Sequence, residues 1–325
     1  MLAATALAGA GCDKGGSKGG GGGGDGKGMA GASAVAPKGG LSRALSMMPA
    51  NTEIVMALDF AKLRSSAVFK KFEPKLMERI GSKLGEFKTL CGWDPMTKAT
   101  GILVGGRGKE MTEMTAFVRG FDKASVTDCI NKAVEKSKAE GKTRTVTFDG
   151  DLVELNEDGN NAVRFMFLDD QTILVKRVGG DDLASKDVYL ATAASKATDG
   201  LMGSQTFSSL IDATDTAATL WFVMNGNSSF IPPNIPMKFT AIFGSVNAAD
   251  GADGVLKLRM ADDDTAKGLV TMGKMQMDQM KDSPFAEYIK AVKLEAKGKD
   301  VHVNFKLTGK QLETAAAMAG SMGGF

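Results

Sequence analysis

The chain has 325 residues, a formal charge of +2 and 24 % charged side chains of both signs. With one histidine, three cysteines and 6 % aromatics, it lacks the Cys/His sets of structural zinc sites and the basic, aromatic-rich stripe of a nucleic-acid binder. Hydrophobic residues at 43 % are enough for a globular core but form no run of about 20 that could span a bilayer as a helix.

Residues 1–11 are uncharged and end in small residues before Cys12, and a Gly/Ser/Lys tract follows. Apolar run, small residues, cysteine and polar tether resemble the leader of a bacterial lipoprotein. The usual aliphatic residue three places before the cysteine is replaced here by Gly9, and no basic residue precedes Lys14. The resemblance implies a signal peptide over 1–11, truncated at its start, and lipidation of Cys12. Several acyl chains on one cysteine, at about 0.8 kcal/mol per buried CH₂, would hold the chain to an envelope membrane without a spanning helix. Asp13 matches an inner-membrane retention signal, but which membrane stays open. The glycine-rich stretch over 12–40 cannot bury enough apolar surface to offset its ordering entropy, and reads as a tether.

About 285 residues remain, enough for two ordinary domains or one large one. Residues 53–60 alternate, with Ile54, Met56, Leu58 and Phe60 on one face of a half-buried strand. Ser65 or Ser66 caps a helix carrying Phe69 and Phe72. Pro74 restarts it, and Leu76, Ile80, Leu84, Phe87 and Leu90 continue at helical spacing to Gly92, a C-terminal cap. Strands follow at 101–105 and 114–120. Asp122 caps a helix with Val126, Cys129, Ile130 and Val134 inward. Asp149-Gly150 turns a hairpin of 143–148 and 152–155, and a second hairpin pairs 163–168 with 172–176. Residues 178–204 give no clear pattern. A short helix at 207–211, a strand at 218–224, an irregular proline loop at 228–236, paired strands at 239–246 and 254–260, and a helix over 262–280 come next. A last hairpin joins 291–296 to 300–307, and a helix over 310–318 closes the chain.

The order strand, strand, Asp-capped helix, hairpin occurs twice, each time after an apolar strand. The expected fold is therefore α+β, in two related halves (41–200 and 201–325), each a mainly antiparallel sheet with helices on one face. The tethered cysteine together with MPANTEIVMALDFAKLRSSAVFKKF (48–72), CGWDP (91–95) and TDTAATLWFVMN (214–225) resembles a group of uncharacterised bacterial predicted lipoproteins. That group carries no known activity, so the resemblance implies location and architecture alone.

Cys91 and Cys129 are either a disulfide, as an exported chain invites, or two buried thiols. Met272, Met275, Met277 and Met280 offer soft thioethers that suit Cu(I), but their spacing also lets 272, 275 and 280 share a core face, the favoured reading. His302 stands between two valines on a strand and reads as an exposed sheet residue. The acidic groups Asp169-Asp170, Asp181-Asp182 and Asp262 to Asp264 lack an alternating calcium-loop pattern, and GGRG at 105–108 joins two strands without the helix that a phosphate loop needs. The proline loop, with exposed-looking Phe230 and Ile231, reads first as an ordinary connection and second as a contact surface. No catalytic constellation and no cofactor motif stands out. The sequence thus points to a membrane-anchored envelope lipoprotein that binds a protein or apolar ligand without turnover. A Met-based copper-handling protein, or a hydrolase with a site scattered in sequence, is the alternative.

Overall fold

The structure, a computed structural model, describes residues 39–157, 160–179, 184–196, 198–232, 238–283 and 285–321. Cys12, the tether up to residue 38, Asp181-Asp182 and Pro233 to Pro236 lie outside them.

The fold is α+β. Among the described residues, twelve antiparallel strands make one sheet. They are β1 (Ile54–Asp59), β2 (Gly101–Arg107), β3 (Glu113–Arg119), β4 (Arg144–Asp149), β5 (Leu152–Glu157), β6 (Asn160–Asp169), β7 (Thr172–Arg177), β8 (Leu220–Asn225), β9 (Ala241–Ala248), β10 (Gly251–Arg259), β11 (Val292–Lys297) and β12 (Asp300–Thr308). Their spatial order is β11-β12-β10-β9-β8-β1-β2-β3-β7-β6-β5-β4. The two stretches expected as separate halves do not make separate sheets. β1 and β8 pair antiparallel at the centre, Ala57 opposite Trp221, and Asp59 and Asn225 donate backbone bonds of 2.8 Å across the ends of the seam. On either side of it the chain repeats one path: a three-stranded meander, a helix, then a hairpin series whose last strand pairs with the third. β7 returns to β3, and β12 to β10.

Cross-strand partners share a face and neighbours along a strand alternate, so the register defines two faces. The front carries Val55, Ala57, Leu103, Phe117, Leu174, Trp221, Val223 and Phe243, all buried. It is covered by α1 (Gly40–Ser46), α6 (Lys186–Ala193), a 3-10 turn at Gly200–Gly203 and α7 (Gln205–Asp212), which add Leu41, Leu45, Met48, Tyr189, Leu201, Phe207 and Leu210 to the same cluster. This cluster draws on both sides of residue 200, so the 200/201 boundary falls inside a shared core. The back carries two clusters. One lies beneath α5 (Lys123–Ala139) with Phe121, Ile130, Phe165 and Ile173, the other beneath α8 (Asp263–Gln279) with Ala266, Val270 and Val301.

β1 corrects its expected polarity. Ile54, Met56 and Leu58 are the less buried row, and Val55 and Ala57 the fully buried one, because the central strand is covered on both faces. Helix α1, which begins where the expected tether ends, was not foreseen, although Leu41, Leu45 and Met48 recur at helical spacing. A six-residue α2 (Phe60–Ser65), capped by Asp59, precedes α3 (Ala67–Cys91). Ser66 caps α3, Oγ accepting from Phe69 N at 3.0 Å. Pro74 does not restart this helix but lies within it. It costs one intrahelical bond, and both Pro74 and Lys70, whose carbonyl loses that bond, face solvent. Gly92 ends α3 at φ 75°, a conformation that favours glycine. Asp94 then caps α4 (Pro95–Lys98). GGRG does not simply join two strands, since Gly105 to Arg107 belong to β2 itself. The remaining helices are α9 (Ala286–Lys290), not expected, and α10 (Gly309–Ser321).

Asp122 caps α5, accepting from Ser125 N at 2.8 Å, and pairs with Lys98. The Lys98 hydrogen bond, followed by Ser125, holds its carboxyl well below the usual carboxylate range. A folded pKa below the unfolded one contributes stability above the ordinary carboxylate pKa and loses it as pH falls through the folded value. Asp122→Ala should therefore cost about 1 kcal/mol at neutral pH in urea unfolding, with the difference from wild type shrinking in strong acid.

A candidate binding cleft on the front face

At the β4 side of the front face, the β4–β5 turn, β6, α1 and α6 surround a cleft of about 510 Å³. Its floor is apolar: Met47 just after α1, Met166 and Leu168 from β6, and Leu190 from α6. Leu190 is 47 % exposed, unusual for a leucine on a short helix, because it looks into the opening rather than into the core. Arg43, Asp149, Asp151, Asp169 and Lys186 supply the rim.

Each rim charge already has a partner. Arg43 donates to the carbonyls of Ala193 and Ser195 at the C-terminal end of α6, where the helix dipole favours a cation. Lys186 pairs with Asp149, and Lys123 with Asp151 at 2.6 Å. Asp169 closes its turn, accepting from Gln171 N and Thr172 Oγ1, each at 2.9 Å. The volume lies in the usual range for small-ligand sites. Its lining offers apolar area and a fixed charge frame, with no nucleophile hydrogen-bonded to a base.

Behind the cleft, α6 is fixed by Tyr189. The ring is fully buried, and its hydroxyl donates to Arg164 O at 2.7 Å and accepts from Lys176 N at 2.9 Å, tying α6 to β6 and β7. Burial pushes its pKa up to about 12. Arg164 adds a bond to Ala184 O at 2.6 Å and a fork onto Glu154. A raised folded pKa gives stability that is complete below the unfolded value near 10 and is lost as pH rises through about 12. Tyr189→Phe leaves Lys176 N–H and Arg164 C=O short of a partner and should cost about 1–3 kcal/mol near neutrality. It should also flatten the fall in unfolding free energy between about pH 9 and about pH 11.5.

The residues singled out from the sequence do not converge on this cleft. Cys91 and Cys129 are joined by a disulfide, Cα–Cα 4.5 Å, tying α3 to α5 on the opposite face. His302 is half-buried rather than exposed, in a front-face row between Lys257 and Glu295. Burial first, then the positive Lys257 and Lys297, lowers its pKa. In that region Lys257 and Arg259 stand over the Phe243 ring at 5.3 and 5.1 Å, and Arg259 is bidentate to Asp300 at 2.8 and 2.9 Å. Asp262 is a helix cap, accepting from Thr265 N at 2.7 Å. Phe230 and Ile231 are half-buried, not exposed, and their loop is tied to β1 through Glu53, which accepts from Ser229 N and Oγ at 2.8 and 2.7 Å.

The methionines of α8 correct a second expectation. Met272, Met275 and Met280 are 44 %, 56 % and 42 % exposed, and only Met277 is half-buried. They fill no core, because the stripe that meets the sheet is Ala266, Val270 and Gly273, whose added Cβ would come within 2.7 Å of Leu294. Among the described residues no group of three or more His, Cys, Asp or Glu side chains could hold a metal ion, and no helix is long and apolar enough to cross a membrane.

The cleft itself was not foreseen. Its floor residues belong to three separate elements, and α6 lies in the stretch without a clear pattern. Leu190, one turn after Lys186 on a short amphipathic segment, was the available signal. Comparison with protein families, with curated proteins and with solved structures returns no match to this chain.

Proposed function

We propose that the chain is a lipid-anchored protein of the bacterial cell envelope that holds an apolar ligand in the front-face cleft without transforming it. The observation that carries the binding reading is the combination of an apolar floor with a rim whose charges are already paired. Such a site can bury and orient a ligand, while it presents no acid, base or nucleophile free to react. The anchoring reading rests on Cys12 and its glycine-rich tether. The matching strand paths on either side of the β1/β8 seam support descent of the two sides from one duplicated unit.

A fluorescent fatty acid titrated into the full chain tests the cleft. Saturable binding is expected, weakened at least about tenfold by Leu190→Asp, which loses apolar contact and places a charge in the opening. Linear, unsaturable uptake, or a Leu190→Asp variant that binds as well as wild type, would remove the cleft reading. Turnover of any ligand by the folded chain would remove the non-catalytic one. Cys12→Ser should move the protein from the membrane to the soluble fraction of its host. A wild-type chain recovered without acyl mass on Cys12 would overturn the anchor.

A further inference from the structure

Among residues whose side chains are described, the exposed methionines are Met272, Met275 and Met280, all within nine positions of one helix and its end. Phe285 follows at 48 % exposure. Met48, Met96 and Met260 are the opposite population, each 2 % exposed or less and built into the core, while Met47 and Met166 line the cleft. The division has a structural origin. Helix α8 meets the sheet through small and branched residues, Ala266, Val270 and Gly273, and at Gly273 an added Cβ would come within 2.7 Å of Leu294 Cδ1. Met272 and Met275 flank that contact on the outward side, at 44 % and 56 % exposure. A surface helix ordinarily places polar residues on this side. Thioethers placed there add nothing to core packing, and their sulfur is open to solvent-borne reagents.

We propose that the exposed methionines of α8 and its C-terminal end form a methionine-sulfoxide site, in which Met272, Met275 and Met280 consume peroxide while the core methionines are spared. In each event the thioether sulfur attacks one peroxide oxygen. The S–O bond forms as the O–O bond breaks, and the departing hydroxide takes up a proton and leaves as water. Sulfur loses two electrons and hydrogen peroxide gains them, so the products are one sulfoxide and one water. The new S=O group points into solvent and leaves the α8–sheet contact intact, whereas the same oxygen on Met48 or Met96 would be a polar group forced into a packed interior. This site is separate from the cleft and does not depend on its ligand.

The test is a time course of the folded full chain in hydrogen peroxide, read by peptide mass spectrometry alongside urea unfolding. Met272, Met275 and Met280 should each take up one oxygen at least about tenfold faster than the three core methionines Met48, Met96 and Met260, which react only when the structure opens. The unfolding midpoint should stay unchanged at that stage. Replacing all three by leucine, close in volume, should abolish the fast oxygen uptake and leave the midpoint in place. Equal oxidation rates at exposed and core positions, fast uptake persisting in the leucine variant, or a fall in the midpoint as the three sulfoxides form would each overturn the proposal.

Discussion

Replacing Trp221 by alanine should lower the unfolding free energy by about 3–5 kcal/mol, the range for emptying a fully buried large aromatic. Trp221 is 1 % exposed on β8, opposite Ala57 of β1 and Ser245 of β9, in the cluster that α7 covers. The small Ala57 across the seam makes room for the indole, and neither side of the seam can collapse into the space it would leave. Trp221→Phe separates volume from polarity. The indole Nε1–H is buried and finds no acceptor among the described residues. Phenylalanine therefore loses some contact area but also removes an uncompensated donor, and the cost should fall to about 1–2 kcal/mol. Urea unfolding followed by circular dichroism measures both. A Trp221→Ala variant with a wild-type midpoint would mean that the seam is not where the two sides are held together.

The second large effect is expected from the disulfide. Cys91 and Cys129 are 38 positions apart. Closing a loop of that length removes conformational entropy from the unfolded chain worth about 4 kcal/mol, so Cys129→Ser, or full reduction, should shift unfolding by about that amount. The loss should also be uneven. Along the 25 residues of α3 only Phe69, near the start, and Cys91, at the end, are buried. Beyond the bridge, the C-terminal end is held by Phe87, whose ring meets Trp93 edge-on at 4.8 Å. Hydrogen exchange on the reduced protein should speed up in the C-terminal half of α3 well before it changes in the central strands. Uniform acceleration across the sheet would show that the bridge serves the fold as a whole instead.

What the sequence made legible was local. Asp122, Asp262 and Ser66 announce helix starts through side chains that reach their own backbone, and Asp149-Gly150 announces a hairpin. Each signal is complete within four or five residues. The pairing of β1 with β8 carries no such signal. Both are short apolar strands that would satisfy many partners, and only the packed core selects one. The same limit explains the α8 methionines. Periodicity can group Met272, Met275 and Met280, but which stripe of a helix turns inward depends on the surface it meets, and β11 with β12 takes the small side chains. Pro74 shows the limit from the other side, since a local rule for helix starts gave way to a helix long enough to absorb one lost bond on its wet face. The cleft was illegible for the reason most sites are: its floor is assembled from the end of α1, β6 and α6, and no segment contains enough of it to be read alone.

The central seam also sets an order of events during synthesis. β1 can find β2 within moments of their emergence, but its other edge must wait for β8, about 165 residues later. At roughly 5–20 residues per second of chain growth, that edge stands unpaired for on the order of 10–30 s, a row of open backbone donors and acceptors in an apolar strand. A nascent chain of this protein therefore carries an aggregation-prone edge throughout the synthesis of the residues between β1 and β8. Anything that shields β1 until Trp221 is made would raise the yield of folded protein.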